Sequence, residues 1–161
     1  MTFVQAKVEI DEKTLRKIVL SYGGDENVGA SARLYLNKSD LIAFGDVRGS
    51  DKKPVYEITP DAGNPNTGII KDGGLAVPYT INSNLTALAG TAQSNTAVTN
   101  TMVYGDPANY ELGLFGDYTI EVSKDYKFAE GLLTVMGEVL AGGNLIKHNG
   151  FLVCQIAKGT A

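Results

Sequence analysis

Few side chains in this sequence could do chemistry, so their spacing decides whether any could act together. His148 is the single histidine and Cys154 the single cysteine, six residues apart. As base and nucleophile they would still need a third group to orient the imidazole. His148 lies in the turn-forming stretch Lys147-His148-Asn149-Gly150 and Cys154 in an apolar run, so the pair reads as a solvated loop histidine and a core thiol. Asp117, Glu121 and Asp125 could bind magnesium or calcium, or form a carboxylate pair for glycoside chemistry. Glu121 falls on the polar side of an alternating pattern and the other two flank its ends; a charged edge that discourages sheet-to-sheet pairing explains them more simply. Asp25-Glu26-Asn27 lacks the spacing and the distal Glu of a calcium loop. Gly63 to Gly68 and Asp72-Gly73-Gly74 lack both the Gly-Lys-Ser/Thr of a phosphate loop and the spacing of a dinucleotide turn, so they read as turns. The expectation is no catalytic residue, no cofactor and no metal.

The elements that would position these residues can be followed along the chain. Val4, Ala6, Val8 and Ile10 alternate with polar residues, the period of a strand. Asp11 can cap a helix carrying Leu15, Ile18, Val19 and Tyr22 at one-turn spacing, stopped by Gly23-Gly24. Ala32 to Leu36 suits a buried strand, and Asn37 stands where a second helix cap belongs. Asp40 follows in that helix's first turn, where its charge suits the dipole, and Gly45 and Gly49 keep the helix short. Val55 to Ile58, Ile69 to Ile70 and Ala76 to Ile81 read as strand pieces between loops rich in Gly, Asn and Pro. The loops Asp61 to Gly68 and Thr91 to Asn100 are expected to be mobile. Met102 to Tyr104 reads as a strand, followed by a turn at Gly105-Asp106-Pro107, a strand over Glu111 to Phe115 and a further turn at Gly116-Asp117. Tyr118, Ile120 and Val122 then alternate with polar residues as a half-exposed strand. From Leu132 to Leu140 the apolar positions fit either a helical stripe or one face of a long strand around Gly137. Gly142-Gly143 reads as a break, and Phe151 to Ala157 as a central strand covered on both faces.

The 161 residues, 43% of them apolar, suffice for one core, and no repeat or linker divides them. With 14 basic and 18 acidic residues the net charge is -4, so the positive field of a general nucleic-acid binder is missing. A lone cysteine excludes an intramolecular disulfide and a multi-cysteine zinc site. Apolar runs such as Leu75 to Tyr79 fall far short of a membrane-spanning helix, and Lys7 and Glu9 interrupt the stretch a signal peptide would need. A soluble, cytosolic chain is the expectation. The 19 glycines favour short strands and long loops over a helical bundle.

Several stretches, in order, resemble the C-terminal part of the major capsid proteins of tailed bacteriophages, the Hong Kong ninety-seven type coat fold. Ala32-Arg33-Leu34-Tyr35-Leu36-Asn37-Lys38-Ser39-Asp40-Leu41 is similar to that family's strand ending in an Asn-Lys/Arg-Ser/Thr step that caps a helix. Gly49-Ser50-Asp51-Lys52-Lys53-Pro54-Val55-Tyr56 resembles its next polar turn and short strand, and Met102-Val103-Tyr104-Gly105-Asp106 its strand ending in Gly-Asp. Ile120-Glu121-Val122-Ser123, Phe128, Leu132-Leu133-Thr134-Val135 and Phe151 to Ala157 follow in the family's order.

The resemblance implies an α+β fold: a mixed β-sheet flanked by two helices, the capsid axial domain, over residues 1–161, with 126–146 as a small extended β segment of the peripheral domain. It implies that Phe128 to Leu140 is strand. The N-terminal arm, the extended loop and the spine helix, which precede this region in the family, have no counterpart here, as in a fragment or a decaying prophage frame. Some members join subunits by an isopeptide bond between Lys and Asn, assisted by Glu. Glu138 falls at the Glu position, Gly131 at the Asn position, and the Lys-bearing loop has no match, so no cross-link is expected. The implied function is structural: a phage or prophage capsid subunit, in the virion and in host cytoplasm during assembly, partnered in hexamers and pentamers by copies of itself. No sequence-specific nucleic acid and no membrane partner is implied, and in isolation a monomer or weak oligomer is expected. The alternatives are an encapsulin-like shell, a tail, decoration or ligand-binding module with a two-sheet sandwich, and a small hydrolase with a pocket around His148 or the acidic cluster.

Overall fold

A computed structural model describes residues 4–7, 10–23, 29–88, 99–123 and 127–156. Nine strands and two helices occur among them: β1 (Val4–Lys7), α1 (Thr14–Ser21), β2 (Arg33–Leu36), α2 (Lys38–Asp46), β3 (Glu57–Asp61), β4 (Asn64–Asp72), β5 (Leu75–Ile81), β6 (Thr99–Gly105), β7 (Tyr110–Ser123), β8 (Thr134–Leu145) and β9 (Phe151–Ile156). Seven strands form one mixed sheet in the order β1-β9-β6-β2-β5-β4-β3, and β7 and β8 form a separate antiparallel ribbon. β1 runs parallel to β9 and β2 parallel to β5; the other pairings are antiparallel. The α+β class, with a mixed sheet, two helices and a small extended β element, is thus as expected.

One face of the large sheet makes the core. Leu34 and Leu36 of β2, Ile70 of β4, Val77 and Tyr79 of β5, Met102 and Tyr104 of β6, and Leu152 and Cys154 of β9 are buried there with Leu15 and Ile18 of α1 and Phe44 of α2. Register explains the set: Leu34 pairs with both Tyr79 and Tyr104, and Tyr104 with Leu152, so side chains of one parity share a face across four strands. The opposite parity, with Tyr35, Thr80, Val103 and Val153, stays half-exposed. The expectation that the closing strand is covered on both faces is therefore corrected. β9 lies between β1 and β6 in the sheet, and over residues 151–155 Leu152 and Cys154 are fully buried while Phe151, Val153 and Gln155 face the partly open side.

Local chemistry sets the helix starts. Asn37 caps α2 as expected, its Oδ1 accepting the Ser39 N–H at 3.0 Å. Gly45 lies inside α2 rather than ending it. Lys13, not Asp11, occupies the cap position of α1, and Asp11 acts two residues earlier, accepting the Lys13 N–H at 2.8 Å and the Thr14 hydroxyl at 2.9 Å. Those bonds, with Lys17, outweigh partial burial and hold the Asp11 carboxyl below its usual range. Tyr56 secures the same turn from across the core, donating to the Asp11 carbonyl at 2.7 Å, with its ring edge-on to Phe44.

Several expected loops are strands instead. Asp61 to Gly68 belongs to a β3–β4 hairpin, with Asp61 paired to Asn64 and Pro60 to Gly68. Gly63, in the turn Ala62-Gly63 between β3 and β4, and Gly73-Gly74, joining β4 to β5, are expected glycine turns, the latter with Gly73 at φ +59°. Val55 to Ile58 is shifted: β3 starts at Glu57, and Pro54 makes only a bridge to Arg48. Of the Thr91 to Asn100 tract, residues 91–98 lie outside the described residues, and Thr99 and Asn100 begin β6.

The ribbon departs most from expectation. Gly116-Asp117 is not a turn between two strands but an irregularity inside one strand of 14 residues, where the register shifts between Phe115 and Thr119 and Gly116 takes φ +91°. Gly142-Gly143 does not break β8 but pairs with Gly113 and Leu112. These glycines have a packing reason. A Cβ on Gly143 would run into the Tyr110 ring, one on Gly137 would lie 2.7 Å from the Tyr118 hydroxyl, and one on Gly142 3.1 Å from the Phe115 ring. Aromatic rings thus cover bare backbone across the ribbon. Of the stretch expected to be strand, Phe128–Glu130 is a 3-10 turn and Thr134 to Leu140 is strand.

Candidate assembly surface

The sequence candidates for chemistry are not brought together. His148 is exposed in the turn before β9, while Cys154 is wholly buried under the helices. Burial, and then the nearby Asp40 charge, push the Cys154 thiol up to about 12. At neutral pH roughly one molecule in 10⁵ would carry a thiolate, the wrong direction for a nucleophile. Asp117 and Glu121 stand exposed on the ribbon, and Asp125 and Asp25-Glu26-Asn27 lie outside the described residues. Among the described residues no group of three or more His, Cys, Asp or Glu could hold a metal ion, and no helix is long and apolar enough to cross a membrane.

Glu138 is exposed on β8 opposite Thr119, and Gly131 sits at φ +66° in the turn after the Phe128–Glu130 segment. Glu121, paired with Met136, occupies the same face as Glu138 two positions along.

The largest chemical feature is apolar. Register places Tyr110, Leu112, Leu114, Ile120 and Val122 of β7 and Val135, Val139 and Ala141 of β8 on one face of the ribbon. Glu111, Thr119, Glu121, Asn144, Glu138 and Thr134 lie on the other, with Phe115, Leu140 and Met136. The polar face being wet needs no explanation, but the apolar face is wet too: Leu114 is 67% exposed, Val135 64% and Ile120 61%. Such a side chain gains about 1.5–3 kcal/mol on full burial. Six of them, Leu112, Leu114, Ile120, Val122, Val135 and Val139, lie exposed in one stripe, an arrangement characteristic of an interaction site. A lone two-stranded hairpin is at best marginal in water without a further layer.

The alternation of Tyr118, Ile120 and Val122 already signals a strand with one apolar face. What it cannot signal is that the other described residues leave that face uncovered. The joint at the ribbon's base was not legible either. There Asn109, fully buried, gathers Tyr22, Gly150 and Ile146 from separate parts of the chain.

Comparison with known proteins gives a consistent picture. A model of the phage capsid family matches residues 2–156. Among solved structures, the capsid of an empty GTA (gene transfer agent) particle computed with C5 symmetry is similar at a TM-score of 0.56 and 17% identity, covering 89% of this chain and 43% of that one. The capsid of the native GTA particle, computed with the same symmetry, gives 0.58 and 17% identity, covering 98% of this chain and 54% of that one. The chain therefore spans about half the length of the capsid chains it matches. No curated protein matches it.

Proposed function

Since this chain belongs to the phage capsid family, we propose that it works as a structural subunit of an icosahedral phage-type shell, located in the particle and performing no chemistry of its own. Its seven-stranded unit corresponds to the axial domain and residues 126–146 to part of the peripheral domain, so the ribbon extends the subunit beyond its own core. Copies of the chain are the partners, arranged as hexamers and pentamers, with assembly in the host cytoplasm. Neither sequence-specific nucleic acid nor a membrane enters the reading, and the net charge of -4 is in keeping with that.

The observation that carries this proposal is the exposed apolar face of the ribbon. A shell subunit holds its place through many modest contacts acting together, so it needs complementary area rather than an activated side chain. A contact between two different patches repeats around a ring until the rotation closes it. The missing Asn at Gly131 keeps covalent joining out of the reading, so particle stability rests on non-covalent contacts.

Electron microscopy of the protein expressed from its complete reading frame tests the proposal. Closed particles or capsomer rings are expected. Persistent monomers at high concentration would count decisively against it.

A further inference from the structure

We infer that Asn109, held by Tyr22, is a clamp that fixes the direction in which the ribbon leaves the large sheet. Both legs of the ribbon start at this residue. β7 begins at the next position, and the Asn109 carbonyl accepts the N–H of Ile146, which follows the end of β8, at 2.9 Å. The side chain reaches the other way: Nδ2 donates to the Gly150 carbonyl at 3.0 Å and to the Tyr22 hydroxyl at 3.1 Å. That hydroxyl, at the end of α1, also accepts the Asp106 N–H at 3.2 Å, and the Tyr22 ring stands edge-on to Tyr104 of β6 at 5.1 Å. Asp106 accepts the Ala108 N–H at 3.0 Å, closing the short turn that carries Asn109.

The buried amide therefore ties the helix end to the turn before β9, the Tyr22 hydroxyl adds the end of β6, and the Asn109 backbone carbonyl joins the two ribbon legs at the same point. Space at the joint is tight. A Cβ on Gly150 would lie 2.8 Å from the Asn109 Cβ, so the two segments pack against each other with no room for a side chain at 150. Beyond the joint, β7 is exposed along nearly its whole length and meets little that could steer it. A buried amide stabilises one arrangement because any other leaves its donors without partners. Asn109 and Tyr22 are positioning residues in this sense. Only the consequence for assembly rests on the shell reading: a ribbon held at one angle presents its apolar face to a neighbour at one curvature.

The test uses the isolated chain, so its failure is separate from failure of the shell reading. Nitroxides are placed at Lys38→Cys and Ser123→Cys, both exposed positions, one on α2 and one at the far end of β7. The buried Cys154 stays unlabelled under mild conditions. Pulsed dipolar spectroscopy of the parent should give one narrow distance. Asn109→Ala and Tyr22→Phe should each widen the distribution about twofold or more, while amide exchange in β2 and β5 stays as slow as in the parent. Should Asn109→Ala fail to fold, Tyr22→Phe, which removes a single hydroxyl, decides by the same comparison. Variants with the parent's width, or a parent already as broad as its variants, would overturn the clamp.

Discussion

In the seven-stranded sheet Leu34, Ile70, Val77 and Leu152 are buried, whereas in the ribbon Leu112, Leu114, Ile120 and Val135 stand in solvent. The side chains are of the same kind and so is the strand geometry. What differs is coverage. The sheet has α1 and α2 packed over one face, and among the described residues nothing covers either face of the ribbon. The sheet thus has its own core, while the described residues leave the ribbon's apolar side chains exposed. Apolar residues in a strand report that a face will be covered, not by which chain.

One deletion made in both regions would break or sharpen this contrast most. Leu34→Ala should cost about 2–5 kcal/mol in denaturant unfolding, because the cavity is enclosed on every side. Leu114→Ala should stay within about 0.5 kcal/mol in the isolated chain, yet lower the yield of particles from the complete reading frame. Equal losses of stability would show that the ribbon is buried in solution by something already present.

Alkaline unfolding gives the next largest effect. With the Cys154 thiol raised from 9.0 to about 12, the folded state keeps its proton where the unfolded state loses it. Stability from this group is therefore intact below pH 9 and falls between pH 9 and 12, by about 1.4 kcal/mol per pH unit. Cys154→Val should flatten that part of the profile, measured against the parent so that the buried tyrosines cancel. An unchanged slope would mean that the thiol is solvated.

Smaller still, Asn37→Ala should cost about 1 kcal/mol by removing the cap of α2. The loss should appear in thermal unfolding and leave the ribbon's hydrogen exchange untouched. A change in exchange along β7 would mean that the two regions are coupled.

Much of the fold was legible locally. The cap at Asn37, the one-turn spacing of Leu15 and Ile18, and the short apolar run of β2 are short-range signals, because each depends on a few neighbouring residues. The glycines misled. Gly116, Gly142 and Gly143 look like turns in a one-dimensional reading, since glycine is the commonest way to turn a chain. In the ribbon, Gly142 and Gly143 make room for the rings of Phe115 and Tyr110 on the facing strand, and Gly116 supplies the φ of +91° at the register shift, roles visible only once the register is known. Gly68 is similar, facing Tyr79 across β4 and β5.

The sequence by itself determined that two short helices occur, that Asn37 caps the second, that Tyr118, Ile120 and Val122 share an apolar face, and that its lone histidine and lone cysteine sit in settings of opposite polarity, because those follow from residue type and periodicity. Only the tertiary structure decided that β7 and β8 run unbroken, that their apolar face lies outside this chain's core, and that Asn109 joins segments far apart in the chain. Coverage, register and long-range hydrogen bonds are properties of pairs of segments, and no single segment contains them.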